Sequence, residues 1–243
     1  MNMLEKIEKF QILLLAVVLA FGLVIATKII SNVIPSDGIA VTGSASKTVQ
    51  SDNGILNFEI GVKQRTRKLA YDSVQKQIPI VKSYLKSKGF EDKDIEIKPS
   101  RGYNSYKLLP NGNSTNEVAY YNLYQPFVVK ANDVEKIKKL STDITNLMDK
   151  GIEIDVSAPE YYYSKLSELK VSLLNEASKD AKQRASAMLK ATGNRTGKIQ
   201  SVKMGVFQIT DANSTDVSDS GIYNVYSIEK KVTAVANVVF KIK

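Results

Sequence analysis

Serine–lysine pairs with the S-x-x-K spacing occur at Ser44–Lys47, Ser73–Lys76, Ser83–Lys86 and Ser167–Lys170. On a helix that spacing sets a hydroxyl and an amine on one turn, where a lysine of lowered pKa could turn the serine into a nucleophile. Repeated hits in a chain rich in both residues, with no KTG motif and with its Ser51-Asp52-Asn53 lying in a turn signal, fit chance better than a dyad. Two carboxylate groups are the next candidates, Glu91, Asp92 and Asp94, then Asp211, Asp216 and Asp219. Neither has the alternate oxygen ligands, central Gly and terminal Glu of a calcium loop, so both read as solvated loop acids. The glycine-bearing stretch Ala191-Thr-Gly-Asn-Arg-Thr-Gly197 follows a helical pattern, whereas a phosphate loop precedes its helix and contains Gly-Lys-Ser/Thr. The 243 residues include no His and no Cys, which removes His-based triads, thiolate chemistry, disulfides and zinc or iron–sulfur sites. The residues therefore assign no catalytic, cofactor or metal set, and the chain reads as a non-enzyme.

Tyrosine supplies a different candidate. Eight of the twelve fall in three segments: Tyr103 and Tyr106; Tyr120, Tyr121 and Tyr124; Tyr161, Tyr162 and Tyr163. Tyr offers a large contact area at low entropic cost, so neighbouring strands bearing these residues would form an interface for another copy or for an envelope protein. The plainer reading is that Tyr favours strands. The net charge is +9, and it resides beyond residue 37, because Lys6, Lys9 and Lys28 cancel Glu5, Glu8 and Asp37. Read along the sequence, the lysines are scattered as a solvated surface, with anionic lipid or wall polymer as alternative partners. Nucleic acid is not expected, since no RNP-like motif is present.

These residues must be positioned by the elements that periodicity defines. Leu56, Phe58, Ile60 and Val62 alternate with polar residues as a half-buried strand, and the preceding run from Ile39 to Val49 alternates too. The Ser51-Asp52-Asn53-Gly54 turn between them predicts a hairpin. Val74, Ile78, Val81 and Leu85 mark a helix over 67–88 that contains Pro79. A strand from Ile95 to about Tyr106, a loop at 110–116 and a return strand follow, and Pro126 makes that return strand an edge or bulged one. Asp133 caps a helix to about Lys150. A strand at 152–158 comes next, then the longest helix, Ser164 to Thr192, with Ala177, Ala181 and Ala185 on its inner stripe. Strands at about 197–209 and 223–242 close the chain. The order β-β-α-β-β-α-β-α-β-β predicts an α+β fold, helices on one side of a mostly antiparallel sheet, with a ferredoxin-like β-α-β-β-α-β middle over 54–158.

Residues 1–37 read differently. Phe10 to Thr27 carries no charge, and as a helix it would span roughly 27 Å, close to the hydrocarbon thickness of a bilayer. This predicts a cytoplasmic stub, a membrane anchor over about 10–30, a linker at Ile34-Pro-Ser-Asp-Gly38 and a body over 38–243. Lys6 and Lys9 before the span, against Lys28 after it, place the N-terminus inside and the body outside. Cleavage after Val24-Ile25-Ala26 and secretion is the competing reading.

Four stretches carry a resemblance: VTGSASKTVQSDNGILNFEIGV, KGFEDKDIEIKPS, GIEIDVSAPEYYYSKLSEL and DAKQRASAMLKATGNRTGKIQSV. The chain from about 38 to 243 resembles the SIMPL domain family of bacterial extracytoplasmic proteins. Many members have a G-x-G pair early in the first strand, where this chain has Gly43-Ser-Ala45. The resemblance implies an extracytoplasmic domain associated with envelope or oxidative stress and with protein interaction, in some members as large oligomers. It brings no catalytic residues.

Overall fold

The structure, a computed structural model, describes Met3–Val33 and Gly38–Lys243. Of the expected linker only Gly38 falls within the described residues. The expected N-terminal helix forms as α1 (Met3–Val33), and its described side chains from Leu14 to Ile29 are exposed. Among the described residues, however, no helix is long and apolar enough to cross a membrane. The spanning role expected of residues 10–30 is therefore not shown by the described part of α1.

The body is α+β, but it holds two sheets where one was expected. Its elements are β1 (Gly38–Gln50), β2 (Asn53–Gln64), α2 (Arg67–Ser87), β3 (Ile95–Ile97), β4 (Arg101–Leu108), β5 (Ser114–Ala131), α3 (Val134–Asp143), β6 (Glu153–Val156), β7 (Glu160–Tyr162), α4 (Leu166–Ala191), β8 (Thr196–Met204), β9 (Gln208–Asp211), β10 (Ile222–Tyr223) and β11 (Glu229–Ile242). One sheet runs β1-β11-β9-β10 with β8 also on β11; the other runs β3-β5-β2-β6 with β4 on β5 and β7 on β2. The ten-element order expected from the sequence is thus too short. The 95–106 strand breaks at Lys98-Pro99-Ser100 into β3 and β4, and the 197–209 strand breaks into β8 and β9. The chain also divides into two compact units. One combines residues up to Ser44 with Ala177–Gly205 and Ala236–Lys243, the other Ala45–Glu176 with Val206–Val235.

In the larger unit, Leu56, Phe58 and Ile60 of β2 and Phe127 and Val129 of β5 pack with Val81 and Leu85 of α2 and Ile137 and Leu140 of α3. The Phe58 and Phe127 rings stack with centroids 5.1 Å apart. Thr66 caps α2 by accepting from the Leu69 amide, and Asp133 caps α3 by accepting from the Lys136 amide. β2 and β5 pair without a break from Gly54↔Ala131 to Gln64↔Tyr121, so Pro126 lies in an interior strand and not in the expected edge or bulge. Its missing donor does no harm there, because the partner on its other side is broken between Ile97 and Arg101. The expected β1–β2 hairpin does not form. The Ser51 amide donates to the Ile228 carbonyl and the Asp52 amide to that of Tyr162. The Asp52 carboxylate accepts from the Ser164 amide at 2.8 Å and the Ser164 hydroxyl at 2.6 Å. The two residues that would have turned a hairpin are spent on other partners, and β2 starts in a new sheet.

In the smaller unit, β8 pairs antiparallel with β11 from Ala236↔Met204 to Ile242↔Thr196. Ala177, Ala181 and Ala185 of α4 are fully buried. They let the helix approach β1 so closely that a Cβ on Gly43 would stand 2.1 Å from the Ala177 carbonyl oxygen and 2.7 Å from the Ala181 Cβ. Asp180 accepts from the Ser44 amide at 2.8 Å and pairs with Arg184 four residues on, also at 2.8 Å. Gly193, at a φ of 78° that an L side chain rarely adopts, ends α4, and the next amide returns to the Leu189 carbonyl.

Two predictions test this framework. Gly43→Ala and Ala181→Leu each insert a group into the α4–β1 contact and should cost about 1–3 kcal/mol. Thermal melting at the wild-type temperature for both would mean that the contact does not exist. Burial works to raise the pKa of Asp52, but the bonds from Ser164 and Asn53 prevail and hold it below its ordinary 3.8. A carboxyl depressed in the folded state contributes stability above the unfolded value and loses it as pH falls through the folded one. Asp52→Asn should therefore lower the melting temperature at neutral pH, with the gap to wild type closing in acid below 3.8. A constant gap down to full acid denaturation would remove the carboxylate from this role.

Candidate functional site

The helices α2 and α3 share the core with one face of the six-stranded sheet. The other face is set by the register of β4, β5, β2 and β6. Side chains alternate along a strand, and residues paired across strands point the same way. Arg101↔Tyr124, Tyr103↔Asn122 and Ser105↔Tyr120 put these side chains on one surface, and the register shifts after Ser105. Glu59, Gly61 and Lys63 of β2 continue the surface, as do Glu153 and Asp155 of β6.

Tyr103, Tyr106 and Tyr120 are exposed, at 57%, 45% and 42%. Tyr103 and Tyr124 stack with centroids 6.0 Å apart and hydroxyls 3.3 Å apart. Gly61 makes room for this: a Cβ there would lie 3.2 Å from the Tyr124 ring. The Lys63 ammonium sits 4.3 Å from the Tyr120 ring centroid, a cation–π contact. Glu59 and Asp155 are cross-strand partners, an unfavourable like-charge pairing that the Arg101 guanidinium relieves by bonding Glu59 at 2.8 Å. Glu59, Arg101, Gly102, Tyr103, Tyr124 and Asp155 line an open cleft of about 530 Å³. The cleft offers aromatic faces, phenol hydroxyls and two carboxylates, and it can grip a cationic or aromatic side chain presented by a protein.

Of the eight tyrosines, the regular register sets Tyr103, Tyr120 and Tyr124 on this surface. Tyr121 points to the opposite face, buried with Ala70, Val74 and Leu123, with Arg67 over its ring. Tyr161 lies in the main core, and its hydroxyl pKa is raised by burial and then by Glu135. Tyr162 donates to Glu160 at 2.7 Å, which with burial pushes it up to about 12. Tyr163 packs on a second core around Leu169, Leu173 and Val232. Tyr161 and Tyr163 are core side chains, so exchanging all of 161–163 for Ser would damage the fold.

The other candidates are engaged elsewhere. Ser44 and Lys47 sit three apart on a strand and so point to opposite faces. Ser73 accepts from Gln64, Lys86 pairs with Asp92 at 2.7 Å, and Lys170 lies over the Phe207 ring. Glu91 and Asp94 form the capping box of a short 3₁₀ turn, and Asp211 accepts from Ser227 and Asn213. Among the described residues no group of three or more acidic side chains could hold a metal ion.

One more pair has the S-x-x-K spacing, Ser227–Lys230. Lys230 is buried at 3% exposure and donates to the Asn224 carbonyl at 2.7 Å. Burial pushes its pKa down to about 8, against the pull of Asp211. The Ser227 hydroxyl donates to Asp211, so this lysine braces the 211–229 segment. Its spacing was legible; its burial was not, since Lys230-Lys231 reads as surface.

The hydrogen bond with Tyr103, then burial, then the charges of Tyr103, Glu153 and Glu59 push the Tyr124 hydroxyl up to about 12. A phenol raised in the folded state adds stability that is complete below the unfolded value, near 10, and lost as pH rises through the folded one. Tyr103→Phe should return Tyr124 towards 10 in a spectroscopic titration of the ring. A titration identical to wild type would mean that the hydroxyls do not interact.

Among curated proteins no relative matches the chain. A family model does match over residues 39–240, which takes in β1, both sheets and α4, and its description is SIMPL, protein of unknown function (DUF541). With the early glycine seated against the alanine stripe and the body folded as α+β, the chain belongs to the SIMPL family.

Proposed function

We propose that this SIMPL-family chain is a membrane-anchored, extracytoplasmic binding protein that works by engaging a protein partner, a second copy or another envelope protein, and not by catalysis. The observation that carries the reading is the sheet face where Tyr103, Tyr120 and Tyr124 stand beside Arg101, Glu59 and Asp155. Stacked and braced tyrosines lose little freedom on association, and Arg and Tyr are the residues that anchor interfaces. The anchor rests on the uncharged run from Phe10 to Thr27 and on the exposed apolar side chains of α1. Orientation follows the bias of Lys6 and Lys9 over Lys28.

Exchanging Tyr103, Tyr120 and Tyr124 for Ser together should reduce the native mass of complexes extracted from membranes, while the melting temperature changes little. An unchanged complex would exclude this face. The full chain should stay with membranes through an alkaline carbonate wash, and its body should be digested by protease added from outside. Stoichiometric labelling of a single serine by an acylating probe would replace the binding reading with a hydrolase.

A further inference from the structure

Folding sorts the charge of this chain. The segments Gly38–Ser44, Ala177–Gly205 and Ala236–Lys243, which form the body of the smaller unit, carry nine Lys and Arg against one Asp. The larger unit carries 22 against 21. Nearly all of the net charge therefore sits on the smaller unit, although along the sequence its lysines look scattered.

The same unit receives the chain from α1. Gly38 opens β1 against Val239 and the Phe240 carbonyl. The Arg195 and Lys243 backbones exchange two hydrogen bonds, and Gly197 abuts the Lys241 carbonyl, so these basic residues gather at the end of the unit where Gly38 lies. Lys182, Lys190 and Arg195 converge there on an open cleft of about 450 Å³, together with Ser186, Asn194 and Thr196. Among the described residues no acidic side chain lines it.

Covalent geometry limits how far this end can stand from the anchor. From Thr27, six helical residues to Val33 add about 9 Å, and five Cα steps to Gly38 add at most about 18 Å. The headgroup layer fills about 6 Å of that reach, and the field of a charged bilayer extends about 8 Å further at physiological salt.

We infer that the basic end of the smaller unit, centred on Lys190, Arg195, Lys241 and Lys243, docks on the anionic phospholipid headgroups of the membrane that holds α1. This rests on the anchored reading above. The guanidinium and ammonium groups take the phosphodiester oxygens, and the Ser186 and Thr196 hydroxyls, 2.9 Å apart, can donate to the same oxygens. Docking sets the unit against the bilayer.

The test uses the full chain reconstituted into phosphatidylcholine vesicles with or without one third phosphatidylglycerol, probed with a membrane-impermeant amine reagent and read by mass spectrometry. Lys190, Lys241 and Lys243 should react about fivefold more slowly on the anionic vesicles at low salt, with Lys76 of the larger unit unchanged. High salt should erase the difference. In a chain with Lys190, Arg195, Lys241 and Lys243→Gln, Lys182 and Lys198 should react alike on both vesicles. Retention in both vesicles with equal labelling would overturn the docking and leave the anchor standing. Release from both by an alkaline wash would overturn the anchor and the docking with it. Protection by soluble poly(glycerol phosphate) but not by anionic vesicles would overturn the inference in favour of a wall polymer. Protection by inorganic phosphate alone would reduce the cleft to a small-anion site and overturn it as well.

Discussion

Between β1 and β2 lie two residues, Ser51 and Asp52, and across them the chain leaves one sheet and enters another. Two-residue connections usually turn a hairpin, because the strands can then satisfy each other's amides. Here the amides go to Ile228 and Tyr162, and the carboxylate of Asp52 holds both the amide and the hydroxyl of Ser164, just ahead of α4. Once β1 is committed to β11, β2 is free to become the central strand of the second sheet, with β5 on one side and β6 and β7 on the other. The pairing of β2 with β5 then decides which side chains meet the helices and which form the tyrosine surface.

That surface uses the face of the sheet turned away from its helical core. Its cross-strand neighbours are chosen to coexist without a hydrophobic cover: ring stacked on ring, an ammonium over a ring, a guanidinium on a carboxylate. An antiparallel sheet with one face on the core and one in water commonly alternates apolar and polar residues. Aromatic rings on the wet side depart from that pattern.

Much of the fold was legible in periodicity. The period-two run of Leu56, Phe58 and Ile60 and the helical stripe of Val74, Val81 and Leu85 are core in the structure, and so are the alanines of α4. What failed was pairing. The sequence around Asp52 carries a hairpin signal, and only the distant Ser164 and Ile228 cancel it. Pro126 advertises an edge, yet the break at Pro99 in the neighbouring strand absorbs its missing donor. Part of the site is readable from strand alternation: Tyr120 and Tyr121 are adjacent on a strand and cannot share a face. The grouping of basic residues in the smaller unit is hidden along the chain, because the seven in 177–205 and the two in 236–243 are separated by the 30 residues 206–235, which belong to the other unit.

The register of β2 on β5 runs for eleven successive pairs without a bulge. Because side chains alternate strictly, one added or missing residue within that run would exchange the two faces from that point on, sending Phe58 or Ile60 into water and Glu59 or Lys63 into the core. The ladder has no point at which such an error could be absorbed locally. Length is free to drift elsewhere, in the exposed turn after Leu108 and in the polar stretch between Asp211 and Ile222, where neither face of the sheet is at stake. Related chains that carry the same surface are thus expected to differ in the size of those two loops and to agree, residue for residue, in the distance from Gly54 to Gln64.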